Sequence, residues 1–195
     1  MIYHLLGSIL IVIGCSHLLG VTDRVESEIV LYVQNKFKNN PLLVFFQEIW
    51  FFGRTSFTLI MLMFLTCFGW KMGSIAWGVF VVAVGIEHFV KKLSNRKRPY
   101  ISHQAIAMLQ PLEPTDSSFP SGDSLRIWYL ALIVPAALGD SELFLSAAIC
   151  LAVLVTLGRI VMGVHYFTDT LAGAGLGILS ASTTIWLWTL MNILN

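Results

Sequence analysis

"GSIAWGVFVVAVGIEHFVKKLSNRKRP", residues 73–99, changes character once, at Lys91. From Gly73 to Val90 the run is apolar apart from Ser74, Glu87 and His88. From Lys91 to Pro99 five of nine residues are basic. An apolar run approaching the roughly 20 residues that cross about 30 Å of hydrocarbon, ending in a cationic cluster, is the pattern of a membrane helix meeting water.

The rest of the chain follows the same pattern. Of its 195 residues 56% are hydrophobic and only 12% charged, and the mean hydropathy is +0.78. A soluble domain carries about twice that charged fraction. We therefore expect one domain over residues 1–195, an all-α integral membrane protein with six transmembrane helices and additional interfacial helices. The expected spans are 2–20, 52–70, 73–90, 124–139, 142–162 and 168–193. The first lacks a basic leader and a small-residue cleavage site, so it reads as a retained helix. The fourth contains Pro135, tolerable where neighbouring helices satisfy the freed carbonyl. The sixth carries Ala172, Gly173, Ala174, Gly175 and Gly177, small residues that let helices approach closely.

Two connections are long. Residues 21–51 hold "VESEIVLYVQNKFKNN" and "PLLVFFQEIWFF", which read as interfacial helices anchored by aromatics. Residues 91–123 are rich in Pro, Ser and charge. Six spans put both termini on one side and the loops 21–51, 91–123 and 163–167 on the other. Of the twelve Lys and Arg residues, only Lys71 then falls on the side of the termini. Lys91, Arg98, Arg126 and Arg159 stand in or beside the polar stretches below, where chemistry can place them. Read literally, the remaining bias puts the polar loop face in the cytoplasm.

The net charge of +1 selects no partner. The basic cluster near residue 91 lacks interleaved aromatics, so nothing suggests nucleic acid. Cys15, Cys67 and Cys150 are far apart within apolar runs and read as small buried hydrophobes, not as a disulfide or metal framework.

Three polar stretches share the loop face. "KKLSNRKRP" (91–99) could serve only to set topology or touch anionic lipid. "SFPSGDSLR" (118–126) puts Ser121 and Gly122 just before a helix. Unpaired N–H groups at such a terminus suit phosphate, and Gly122 permits close approach; equally, Ser121 or Asp123 could be a plain N-cap. "GRIVMGVHYFTD" (158–169) supplies Arg159, His165 and Asp169. Ionisable groups at membrane depth are functional candidates. On a helix, His165 and Asp169 would share a face, and the carboxylate could fix the imidazole tautomer; such a pair can also be purely structural. Together the stretches offer cations, a helix N-terminus and an oriented histidine, the parts needed to bind a phosphoryl group and attack it. Glu87, four residues before Lys91, reads as its helical ion-pair partner. His4 and His17 read as packing or interfacial residues, and His88 and His103 as neighbours of the site.

These stretches resemble the motifs of the type 2 phosphatidic acid phosphatases, the PAP2 superfamily. The family's K-x6-R-P matches Lys91, Arg98 and Pro99. Its P-S-G-H matches Pro120, Ser121 and Gly122, with Asp123 in place of the histidine. Its S-R-x5-H-x3-D matches Arg159, His165 and Asp169, with Gly158 in place of the serine. The resemblance implies a six-span bundle and a two-step phosphatase. His165 would attack phosphorus and form a phosphohistidine. Asp169 would orient it, and Lys91, Arg98, Arg159, Ser121 and Gly122 would clamp the phosphoryl oxygens. Asp123 stands at the general acid's position, as an N-cap, as the mark of an inactive site, or as a working acid. No cofactor or metal is implied, because the cations supply the charge a metal would bring. The partners implied are the bilayer and a phosphorylated lipid. A polyprenyl diphosphate is the first choice and phosphatidic acid or another phosphoglycerolipid the second. A phosphate transferase and a non-catalytic lipid-binding relative remain open.

Overall fold

A computed structural model describes residues 2–19, 22–139 and 141–194. All regular elements among the described residues are helical. They are α1 (Ile2–Gly14), α2 (Asp23–Phe37), α3 (Leu42–Ile49), α4 (Thr55–Phe68), α5 (Trp70–Ser94), α6 (Pro99–Ser102), α7 (Gly122–Leu138), α8 (Glu142–Val161) and α9 (Phe167–Leu190). Short 3-10 turns follow α1 (Cys15–Leu19) and α3 (Trp50–Gly53).

Each expected span has a helix, but not each helix has a span's length. Three are long and apolar enough to cross a membrane: α5 with α6, α8 and α9. A fourth arises if the segments Leu42–Gly53 and Thr55–Phe68, bent by 46°, count as one. The expected spans 2–20 and 124–139 form shorter helices, 13 residues in α1 and 17 in α7. Gly20, the end of the first, lies outside the described residues. With these apolar helices, the chain is a membrane protein. Their outer surfaces expose large hydrophobics such as Val12, Ile60, Phe64, Val81, Phe89 and Trp186, as lipid contact requires and water does not.

The core sits where α4, α5, α7 and α9 meet, around Leu62, Leu65, Phe80, Leu125, Tyr129, Ile133 and Trp188. Polar atoms inside it are paired. The Tyr129 hydroxyl donates to the Ala76 carbonyl at 2.8 Å, and Trp188 Nε1 donates to the Met72 carbonyl at 3.0 Å. The small residues of α9 serve two seams. Gly175 lies against α1, and Gly173 against the Ser121 carbonyl at the start of α7. A Cβ on Gly173 would come within 2.2 Å of that oxygen, so only glycine lets α9 and the N-terminus of α7 sit this close.

Two expectations need correction. Cys67 and Cys150 are exposed rather than buried, because they lie on the outer faces of α4 and α8, where an apolar residue needs no protein neighbour. Helix α2 is also more than an interfacial helix. Glu26, Ser27, Val30 and Gln34 are buried, and the Gln34 amide bonds the backbone of Ala107 through both its ends. α2 thus walls the loop face.

Candidate active site

Helix ends and the short connections beside them deliver the motif residues of the three polar stretches. α5 runs to Ser94, past its expected end, so Glu87 and Lys91 ride on its last turns. Asn95 stops it in the left-handed conformation (φ 43°), a common helix terminator. Arg98 caps α6, whose first residue is Pro99, where a missing N–H costs nothing. Ser121 caps α7 by accepting from the Ser124 N–H. Arg159 lies in the last turn of α8, His165 in the connection, and Asp169 in the first turn of α9.

A polar cavity of about 260 Å³ opens among these ends, lined by Lys91, Arg98, Arg126, Arg159, Asp116, Asp123 and Gly122, among others. Its four cations fall into two pairs. Lys91 Nζ and Arg98 Nη2 both hold Asp116, at 2.5 and 2.6 Å. Arg126 Nη2 and Arg159 Nη2 both hold Asp123, at 2.6 and 2.9 Å. The expected Glu87–Lys91 pair is present at 3.3 Å. Arg159 is 2% exposed, yet its Nε and Nη1 have no hydrogen-bond partner. An unpaired buried guanidinium edge is costly, and an anion in the cavity would satisfy it.

His165 is buried behind Arg98. Arg98 Nη1 lies 3.2 Å from His165 Nε2. A guanidinium can only donate, so Nε2 accepts and the ring proton sits on Nδ1. Nδ1 faces Asp169 Oδ2 at 3.6 Å, close but longer than a hydrogen bond. Burial first, and then the Arg98 charge, press the His165 imidazole down to about 3, against the upward pull of Asp169. It is therefore a neutral base with an in-plane lone pair at Nε2. Burial raises the Asp116 carboxyl, but the Lys91 bond and the Lys91 and Arg98 charges outweigh it and hold it at about 2.

Asp169 does more than face His165. Its Oδ2 accepts from the Tyr166 N–H at 2.8 Å and from the Ser118 hydroxyl, and its Oδ1 accepts from Arg96 at 2.6 Å. Arg96 in turn binds Glu26 at 2.6 Å and lies over the Tyr166 ring at 4.2 Å. A buried Glu26–Arg96–Asp169 chain thus ties α2 to α9.

The structure brings Lys91, Arg98, Gly122, Asp123 and Arg159 to the cavity wall. Ser121, His165 and Asp169 are buried and are not among its lining residues. The Ser121 hydroxyl is occupied within the α7 cap, by the Ser124 N–H and hydroxyl. Sequence reasoning missed Asp116, Gln110 and Trp50 at the cavity, and Glu26, Arg96 and Ser118 behind it. Glu26, Trp50, Gln110 and Asp116 lie outside the polar stretches and left no periodic signal, whereas Arg96 and Ser118 lie inside them but off the motif positions. Arg126 could have been found, because it lies one helical turn after Asp123. His88 also lines the cavity, with its Nδ1 2.9 Å from the Val84 carbonyl. His17 packs on Phe119 and His4 meets Ser182, as packing residues do.

The sequence profile of the PAP2 superfamily matches residues 72–193. Decaprenylphosphoryl-5-phosphoribose phosphatase of Mycobacterium tuberculosis is 35% identical over 96 residues, 49% of this chain and 50% of that protein. Undecaprenyl-diphosphatase of Sulfolobus acidocaldarius is 34% identical over 98 residues, 50% of this chain and 46% of that protein. The chain thus spans about half the length of these curated relatives. Two solved structures share the fold. The transmembrane PAP2-type phosphatidylglycerolphosphate phosphatase of Bacillus subtilis matches with a TM-score of 0.79 at 21% identity, over 98% of each chain. LpxE of Aquifex aeolicus matches with 0.72 at 24% identity, over 82% of this chain and 93% of its own.

Proposed function

The chain belongs to the PAP2 superfamily, and on that premise we propose that it is a membrane lipid phosphatase that hydrolyses a polyprenyl diphosphate through a phosphohistidine on His165. The observation that carries the reading is the cavity itself. Four cations surround it, one of them Arg159 with two unpaired buried nitrogens, and a neutral histidine stands behind Arg98. The likeness over half their length to proteins named for polyprenyl-linked phosphates supports the lipid class.

In this reading the substrate's terminal phosphate takes the place Asp116 now holds between Lys91 and Arg98. Arg159 and the Gly122 N–H complete the clamp, and Ser121 shapes the α7 terminus that presents that N–H. Donors fixed in advance around the phosphoryl oxygens stabilise the charge of the transition state. The Nε2 lone pair of His165 attacks phosphorus, and Asp169, held by Arg96 and the Tyr166 N–H, stabilises the imidazolium that forms. Water then hydrolyses the N–P bond. This reading takes α1, α4, α5, α7, α8 and α9 as six crossings, with the site at the bilayer edge, where the lipid tail would stay in hydrocarbon.

The test is phosphate release by the purified protein from a panel of polyprenyl diphosphates, polyprenyl monophosphates and phosphatidic acid, without added metal. Release from at least one lipid, abolished in His165→Ala, is the expected result, together with an acid-labile phosphoenzyme. A second reading, a lipid-binding relative without turnover, is favoured by one observation: Asp123 is fully engaged by Arg126, Arg159 and Trp50. Tight lipid binding with no release from any lipid would establish it instead.

A further inference from the structure

The reading above leaves open what assists the leaving group, and the Asp123–Arg126 pair speaks to that. We propose that Arg126, held at the cavity by Asp123, binds the lipid-proximal phosphate of a diphosphate substrate and stabilises it as the leaving group. A fixed cation then does at this position what a proton donor would do in a monoesterase. The inference rests on the lipid-phosphatase reading and names the residue that would make it prefer a diphosphate.

Three observations carry it. First, Asp123 is a carboxylate with nothing to donate. Its Oδ1 accepts from Arg126, and its Oδ2 accepts from Arg159 and from Trp50 Nε1 at 3.2 Å. Second, Arg126 is built into the wall. Its Nε donates to the Gly53 carbonyl at 2.9 Å and its Nη2 to Asp123 at 2.6 Å. Its Nη1 forms a loose ion pair with Glu87 Oε2 at 3.7 Å, longer than a hydrogen bond, so it can still take a closer acceptor. Third, the four cations form two pairs, each sharing one carboxylate, with Glu87 between them facing Lys91 at 3.3 Å and Arg126 at 3.7 Å. One cavity thus carries two cation pairs, and a diphosphate brings two phosphates to it. Lys91 and Arg98, the pair beside His165, would take the terminal phosphate. Arg126 would take the inner one, and Arg159, with two unpaired nitrogens, would reach from the terminal phosphate toward it.

The step balances without an acid. The Nε2 lone pair of His165 forms a bond to the terminal phosphorus. The bond from that phosphorus to the bridging oxygen breaks, and its electron pair leaves with the lipid monophosphate. That anion is stable at neutral pH and needs a cation, not a proton. A monoester would instead expel an alkoxide, which needs the proton that Asp123 lacks. In the second step a water oxygen bonds to phosphorus and the N–P electron pair returns to Nε2. One water proton stays on orthophosphate and the other goes to solvent.

The experiment compares farnesyl diphosphate with farnesyl phosphate, two probes with one tail, on the purified full chain. The native protein should favour the diphosphate. Arg126→Gln should lower diphosphate hydrolysis about 100-fold, as loss of a transition-state donor does, and change the monophosphate rate by less than about tenfold. Arg126→Lys should recover part of the diphosphate rate. Asp123→His should raise the monophosphate rate and narrow the ratio between substrates. Inhibition by methylenediphosphonate should weaken in Arg126→Gln and Arg126→Lys, while inhibition by methylphosphonate stays unchanged. Equal losses on both substrates in the two Arg126 variants, with the inhibition ratio unmoved, would overturn the assignment. So would a native protein that is the better monoesterase. If the native protein releases phosphate from neither probe and from no other lipid, the broader reading falls as well. If it turns over lipids while the ratios stay fixed, only the role of Arg126 falls.

Discussion

Arg159 shows at the scale of one residue why a clamp cation differs from a surface cation. Its guanidinium is buried, one nitrogen holds Asp123 and Gln110, and Nε and Nη1 have no partner. The two unpaired nitrogens leave N–H donors on different edges of the guanidinium for phosphate oxygens. Arg159→Ala should lower kcat/KM by about 100- to 1000-fold. Lys92→Ala, on an exposed position next to the motif lysine, should change it by less than about threefold. Equal losses in steady-state rates of the two variants would remove Arg159 from the clamp. His165 supplies a pH prediction. Its folded imidazole protonates near 3, against an ordinary 6.5. The neutral nucleophile therefore persists as pH falls, and phosphoenzyme formation should hold from pH 7 to about pH 5, where an unperturbed histidine would be mostly protonated. The same depression has a stability consequence. Between about 6.5 and 3 the unfolded chain takes up a proton that the folded chain refuses, so stability declines as pH falls through that window. Thermal midpoints measured from pH 7 to 5 should fall, and His165→Gln should flatten the slope.

At the scale of elements, the site depends on how closely α9 approaches α7. Gly173 stands where a Cβ would sit 2.2 Å from the Ser121 carbonyl, a backbone atom that cannot swing aside. Gly173→Ala should therefore push α9 from the N-terminus of α7 and cost about 1–3 kcal/mol, with loss of activity. Gly78→Ala is the matched control on α5, where an added Cβ meets nothing within 4 Å; it should be neutral or gain up to about 1 kcal/mol. Unfolding midpoints of the two variants check the contrast. The 103–121 connection contributes a second element-scale effect through Asp116, which occupies Lys91 and Arg98. A substrate phosphate must displace it. Asp116→Asn should weaken that competitor and lower KM for the lipid, measured by steady-state kinetics. An unchanged or raised KM would show that Asp116 aids binding instead.

At the scale of the whole molecule, the cations outside the motifs crowd the loop face, and Arg24, Lys36, Lys38, Lys92 and Lys97 are accessible there. The positive-inside bias predicts that this face is cytoplasmic. With Cys15, Cys67 and Cys150 replaced, a single cysteine in the 104–116 loop should react with a membrane-impermeant maleimide only when the cytoplasmic side is open. Labelling of intact cells would reverse the orientation. The sequence by itself determined the helical membrane class, the rough position of each long helix and the motif residues, because hydropathy and spacing are local properties that survive without coordinates. It also located the Glu87–Lys91 pair, since four residues on a helix is a fixed distance. Which helices have spanning length was decided by where α1 and α7 stop. The partners of the motif residues were decided by tertiary structure alone. Asp116 lies 25 residues from Lys91, and Glu26 lies 70 from Arg96 and 142 from Thr168. Contacts at that separation follow from packing of helix ends, and no periodicity records them. Asp123 makes the same point: its place at the start of a helix and its turn-spaced Arg126 were legible, but its capture by Arg159 of α8 exists only once α7 and α8 are packed together.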